Sequence, residues 1–178
     1  MKYFDELKKS MEWLAQKNDS FFIGQAVEEP GTAMFNTLKD IDATKRLELP
    51  VFEDTQMGIS IGMSLKGYRV ISIFPRWNFL LCATNQLVSH LDKLPIISDG
   101  EVLPNIIIRT SVGSENPLFP GHQHIGNMSD AYRKMLNTVE IIELFEPEDI
   151  FPSYKKAYER KDGKSSLMVE FGDFYNEK

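Results

Sequence analysis

A carboxylate stands at residue 53, in the stretch "LELPVFEDTQMGISIGMSLKG" (47–67), where an apolar run passes into a helical pattern with Gly58 and Gly62 on one stripe. Two histidines, His122 and His124, lie in "SVGSENPLFPGHQHIGN" (111–127), and Trp77 and Phe79 open the helical pattern "WNFLLCATNQLVSHLDK". Carboxyl and imidazole groups are ordinary proton carriers in catalysis, and an aromatic ring can stack on a flat ligand. Each group also has a plain structural role. Glu53, followed by Asp54, suits the positive end of a helix dipole by about 0.3–1 kcal/mol. An aromatic at a helix start is usually core, and a loop histidine is often merely exposed. The two glycines cost their helix roughly 1 kcal/mol each relative to alanine, which a close approach to a neighbour would explain. Spacing alone names no substrate.

The elements that must position these groups follow from periodicity. Phe4, Leu7, Met11 and Leu14 predict a helix over 2–17, and "SFFIGQ" (20–25) a short buried strand. A weak helix over 30–41, an extended stretch to Phe52, a helix over 54–65 and the β-branched strand "YRVISIF" (68–74) come next. One long helix is predicted over about 77–93, then a turn at "SDGEVLP" and a strand at "NIIIRT" (105–110). After the 111–127 loop, the spacing predicts a helix (128–136), a strand (139–144), a helix from Pro147 to about Arg160 and a strand at 166–171. Strands alternate with helices and are apolar throughout, which predicts an α/β fold: a mostly parallel sheet with helices on both faces. In such sheets ligands sit beyond the carboxyl ends of the strands. The Glu53 turn, the Trp77–Phe79 helix start and the 111–127 loop all fall there, and the loop is longer than ordinary connections.

The chain has 178 residues, which suits a single domain over 1–178, without repeats or a linker. Its net charge of −6 and the lack of a Lys/Arg stripe argue against nucleic acid or an anionic membrane as the main partner. Cys82 is the only cysteine, which excludes an internal disulfide and a Cys-rich zinc site. No metal-ligating set is evident. No apolar run reaches the roughly 18 residues of a membrane span, and the charged amphipathic start is unlike a signal peptide, so a cytoplasmic location is expected. "FFIGQAVEEPGT" does not space its glycines as a dinucleotide fingerprint.

Pro50, Glu53, Gly58 and Gly62, three, five and four residues apart and followed by "KGYRVI", resemble the signature of the pyrimidine-binding domain in transketolase-type thiamine-diphosphate enzymes. The likeness is greatest to the β subunit of the 2-oxo-acid dehydrogenase first component. "FFIGQAV" resembles that family's first strand, and "NFLLCATNQLVSHLDKL" its helix with an Asp-Gln-Ile-Val-Asn core. "LPNIIIRT" resembles its Pro-x-x-x-Arg strand, "HQH" falls where an active-site histidine is placed, and "SLMVEFGDFY" resembles its closing strand.

By this resemblance Glu53 matches the glutamate that supplies and shares a proton with the cofactor's aminopyrimidine, which in turn deprotonates the thiazolium carbon to a nucleophilic ylide. Burial helps a carboxyl keep its proton. Phe79, twenty-six residues after Glu53, matches an aromatic that stacks on the pyrimidine, with Trp77 as the neighbouring candidate. In this family a histidine here hydrogen-bonds the substrate or moves protons near it. Counting forward from Arg109 favours His122, and counting back from Val139 favours His124.

A complete thiamine site has a second half that holds Mg²⁺ and the diphosphate through Gly-Asp-Gly and a later Asn. "SDGE" (98–101) and "GDFYN" (172–176) lack that pattern and are expected to be turns. The resemblance therefore implies a separate partner subunit carrying Gly-Asp-Gly, in an α2β2 assembly, and a 2-oxo acid that is decarboxylated or ligated. The resemblance ends with the pyrimidine domain, whereas typical β subunits continue; a stand-alone two-chain enzyme, or a split transketolase acting on ketose phosphates, fits that length. A non-catalytic α/β assembly module is the alternative from another class. "FEDTQ" in place of the family's Ala-Glu-Gln-Gly neighbourhood, and Asn85 where Asp is common, are departures that bear on the substrate.

Overall fold

Strands such as "YRVISIF" and "NIIIRT" are apolar on both faces, so both faces must be covered. The structure, a computed structural model, describes residues 2–116 and 118–177. Among them, β1 (Ser20–Gly24), β2 (Arg46–Glu48), β3 (Arg69–Ile73), β4 (Ile106–Val112), β5 (Val139–Glu143) and β6 (Ser165–Phe171) form one sheet. Its order is β2-β1-β3-β4-β6-β5, and every pairing is parallel, with Ser20 beside Arg69, Val70 beside Ile106 and Arg109 beside Met168. The expected α/β class is the observed one.

The helices are α1 (Tyr3–Ala15), α2 (Ala33–Asn36), α3 (Glu53–Leu65), α4 (Trp77–Leu80), α5 (Leu94–Ile97), α6 (Ser129–Arg133), α7 (Pro147–Glu159) and α8 (Phe174–Glu177). Successive strand residues point to opposite faces. Ile71, Ile73, Ile107 and Met168 therefore pack with Leu7, Met11 and Leu14 of α1 and with Ile150 and Tyr154 of α7. Val70, Ile106, Ile108 and Leu167 pack with Met57 and Ile61 of α3, Trp77 and Leu80 of α4, and Tyr132 of α6. Burying each such side chain contributes about 1.5–3 kcal/mol. Among the described residues no helix is long and apolar enough to cross a membrane.

The helix predicted over 30–41 is only Ala33–Asn36, the short helix Leu94–Ile97 was not expected, and further elements differ in ways that have a physical reason. Tyr3, and not Phe4, completes the buried stripe of α1, because its hydroxyl finds polar partners there: it donates to Leu144 O at 2.8 Å and accepts from Phe171 N at 3.1 Å. The single helix predicted over 77–93 is broken: α4 passes into a 3-10 turn (Leu81–Ala83) and then a π-helical turn (Gln86–Leu91). Asp92 closes that segment. Its N–H reaches Leu87 O at 3.0 Å, and its buried carboxylate accepts the backbone N–H groups of Asn137, Thr138 and Val139, so the segment is tied to the start of β5. "GDFYN" runs into α8 and is not a simple turn, and Tyr175 on that helix is anchored by the Glu170 carboxylate at 2.6 Å.

Candidate active site

β1 ends at Gly24, φ +134°, where a Cβ would stand 2.2 Å from Ile73 O and 2.6 Å from Gln56 Nε2. Glycine alone tolerates that backbone and that approach. The next turn includes Ala26 at φ 59° and is held by Glu48, at the end of β2, whose carboxylate accepts the N–H groups of Ala26, Val27 and Glu28 at 2.9, 2.6 and 2.8 Å. From here the chain runs through α2, on the α1/α7 face, to β2. After β3 it runs through α4 on the opposite face to β4. Connections that part to opposite faces leave a crevice at the carboxyl edge, where α/β sheets bind ligands. A cleft of about 460 Å³ opens there, lined among others by Glu29, Met34, Arg76, Phe79, Ser111 and Tyr175.

Glu53 is the first residue of α3 and is 7% exposed. It is not among the residues that line the cleft and lies five residues beyond Glu48 on the connection from β2. Among the described residues no group donates a hydrogen bond to its carboxylate, and no side chain caps the first turn of α3. One turn on, Gln56 fixes that helix end over the sheet: its Nε2 donates to Ile73 O at 2.9 Å and to Ser72 Oγ at 3.2 Å. Gln56 Oε1 is buried without a donor, and so is Gln25 Nε2 without an acceptor. An unused acceptor on α3 and an unused donor at the end of β1 are groups that a ligand carrying both donors and acceptors could satisfy. The glycines behave otherwise than expected. A Cβ at Gly58 would meet Gln86 Oε1 only at 3.9 Å and one at Gly62 nothing within 4 Å, so neither is required by a close approach within this chain.

The structure separates the aromatic and histidine candidates. Trp77 is fully buried, its ring 5.1 Å from that of Tyr132 and its Nε1 without a partner; it belongs to the core. Phe79 is half-buried and faces the cleft. His124 joins it: the rings lie 5.7 Å apart, and His124 Nδ1 is 2.9 Å from Asn78 Oδ1. His122 is exposed, its ring on Phe119. Both histidines sit on a 3-10 turn (His122–His124) that is held against β4 by Gly113 N–H to His124 O at 3.0 Å. A Cβ at Gly113 would stand 2.4 Å from that oxygen.

Residues far apart in the chain, which periodicity does not pair, brace the cleft. Arg109 of β4 and Glu170 of β6 form a fully buried ion pair through Nε–Oε1, with Nη2–Oε2 at 3.0 Å. Arg109 Nη1 also donates to Thr37 Oγ1, and Tyr154 and Tyr175 donate to the Glu170 carboxylate at 2.8 and 2.6 Å. Burial and then the Glu170 charge push both phenols up, so they remain donors. Tyr175 is thereby fixed in the cleft wall. Ser111 Oγ donates to Pro75 O at 2.7 Å, which fixes the backbone ahead of α4. Among the described residues no three His, Cys, Asp or Glu side chains gather into a metal site.

The fold is shared with solved structures of a decarboxylase and a transketolase. A benzoylformate decarboxylase from Polynucleobacter necessarius superposes with a TM-score of 0.66 at 16% identity, over 98% of this chain and 31% of that one. A split-gene transketolase, solved as an inactive β4 tetramer, superposes with a TM-score of 0.63 at 12% identity, over 94% of this chain and 50% of that one. No protein-family model matches the chain. In sequence it is a relative of the pyruvate dehydrogenase E1 component subunit β of Gracilaria tenuistipitata var. liui, 27% identical over 97% of this chain and 53% of that protein. The chain thus spans about half the length of the curated relative it matches. The resemblance to the E1 β subunit thus stands on sequence, and that to the transketolase and the decarboxylase on fold.

Proposed function

We propose that this chain is the pyrimidine-domain subunit of a two-chain thiamine-diphosphate enzyme that decarboxylates or ligates a 2-oxo acid. The observation that carries the reading is Glu53: at the position of the family's glutamate, it is a buried carboxyl at a helix start with no donor among the described residues. Its neighbours fit the group. Gln25 and Gln56 keep unused polar atoms, and Phe79 presents an apolar ring at the cleft.

When bound, thiamine diphosphate supplies a carbon nucleophile for breaking or making a bond beside a carbonyl. The work of this chain is to hold and move protons and to orient. Glu53 would offer its carboxyl to a ring nitrogen of the bound group and exchange a proton with it, which an amide at the same position cannot do. Phe79, which lines the cleft, would pack on that ring, worth about 0.5–1.5 kcal/mol beyond area burial. His124, with Asn78 as acceptor at Nδ1, keeps Nε2 for a substrate oxygen or a proton beside it. A partner chain with Gly-Asp-Gly completes the site with Mg²⁺ and the diphosphate contacts, in an α2β2 assembly.

The test is to purify the chain with that partner and titrate thiamine diphosphate with Mg²⁺ by calorimetry, then to assay a panel of 2-oxo acids, aldehydes and ketose phosphates. Binding by the pair and turnover of a 2-oxo acid are expected. No cofactor binding by the pair, with tight NAD binding by this chain alone, overturns the reading in favour of a nucleotide-binding domain.

A further inference from the structure

Arg76 carries the only positive charge among the described residues lining the cleft. It is half-buried, and among the described residues its guanidinium has neither a hydrogen-bonded acceptor nor an ion partner, although the chain is acidic overall at −6. Its backbone is held on both sides. Pro75 O accepts from Ser111 Oγ at 2.7 Å, and Arg76 O accepts the N–H groups of Phe79 and Leu80 at 3.1 and 3.3 Å. A partly desolvated guanidinium on a fixed backbone, lining a cleft of about 460 Å³, suits an anion.

We infer that Arg76 binds the carboxylate of the substrate and so sets the enzyme's preference for 2-oxo acids. This rests on the functional reading above and adds a residue that determines specificity. A monoanion fits better than a phosphate. The only other charge on the described lining is the carboxylate of Glu29, exposed at the rim, and a phosphate dianion calls for more than one cation. Arg76 thus holds the carboxylate in a fork of two N–H groups, and Glu29 repels a second negative charge.

The test uses the complex with its partner and the best-used acid of a panel (pyruvate, 2-oxobutyrate, 2-oxoisovalerate), each beside its uncharged methyl ester. Arg76→Gln is expected to raise KM for the acid by ~10–100-fold while leaving unchanged the affinity for thiamine diphosphate and the Ki of the ester, which has no free carboxylate to lose and serves as an inhibitor. Arg76→Lys recovers part of the loss, and Glu29→Gln lowers KM for the acid. Independently of turnover, the acid slows phenylglyoxal modification of Arg76, followed by mass spectrometry. An equal change in KM for the acid and Ki for the ester, or lost saturation by fructose 6-phosphate with the 2-oxo acids unaffected, overturns the assignment while the functional reading stands. Failure of the wild-type complex to bind thiamine diphosphate overturns both.

Discussion

His124 Nδ1 lies 2.9 Å from Oδ1 of Asn78, the residue before Phe79. The contact joins the 111–127 loop to the start of α4, forty-six residues away, and it gives the two histidines different surroundings. With Asn78 Oδ1 accepting, Nδ1 carries the proton and Nε2 is left free. We predict that His124→Ala lowers turnover of the assembled enzyme by roughly 100-fold or more. His122→Ala, which removes an exposed ring, is expected to change turnover by less than about 3-fold. Equal losses in steady-state assays of the two variants would count against the distinction.

Glu53→Gln is expected to leave the fold intact, with unfolding free energy within about 1 kcal/mol of wild type. The amide keeps the shape and one acceptor but has no carboxyl proton to exchange. Turnover with saturating cofactor should fall by at least ~100-fold while calorimetry still records thiamine diphosphate binding by the pair.

Gly24→Ala tests the carboxyl edge. The new methyl would enter within 2.2 Å of Ile73 O, at a φ of +134°. A loss of roughly 2–4 kcal/mol is expected in denaturant unfolding, whereas Gly62→Ala, which meets nothing within 4 Å, should stabilise α3 by up to about 1 kcal/mol.

The buried Arg109–Glu170 pair predicts an asymmetric response. Burial works against the Arg109 charge, but the Glu170 carboxylate more than offsets it and holds the guanidinium well above its ordinary range. Removing one partner, as in Glu170→Leu, strands a buried charge and should cost about 3–5 kcal/mol, whereas replacing both with apolar residues should cost less. A double-mutant cycle in urea measures the difference.

Acid sensitivity should centre on Asp92. Burial acts to raise its pKa, yet hydrogen bonds from Lys93, Thr138 and Asn137 prevail and hold the carboxyl at about 2, below its ordinary 3.8. A carboxyl depressed in the folded state stabilises it fully above the unfolded value. That contribution is lost as pH falls from about 3.8 through about 2. Asp92→Ala should cost about 1–3 kcal/mol at neutral pH and flatten the acid limb of a stability–pH curve.

The order of strands and helices, the parallel sheet and the Glu53 helix start were determined by the sequence itself. Hydrophobic period and turn residues act within a few positions of one another, and "YRVISIF" or "NIIIRT" can only be strands covered on both faces. Of the residues that the resemblance singles out, the structure sets Phe79 in the cleft wall and His124 against it, and it leaves Glu53 buried at the start of α3. Other outcomes were decided by contacts between distant residues. Trp77 was closed into the core by Tyr132, the end of the broken 77–93 helix was tied by Asp92 to the strand start at 137–139, and His124 was set on Asn78. Arg109 found Glu170 sixty-one residues away, and Arg76 was left facing the cleft without an acceptor among the described residues. Local propensity carries no information on such pairings, because their energy exists only once the sheet has brought the strand ends together.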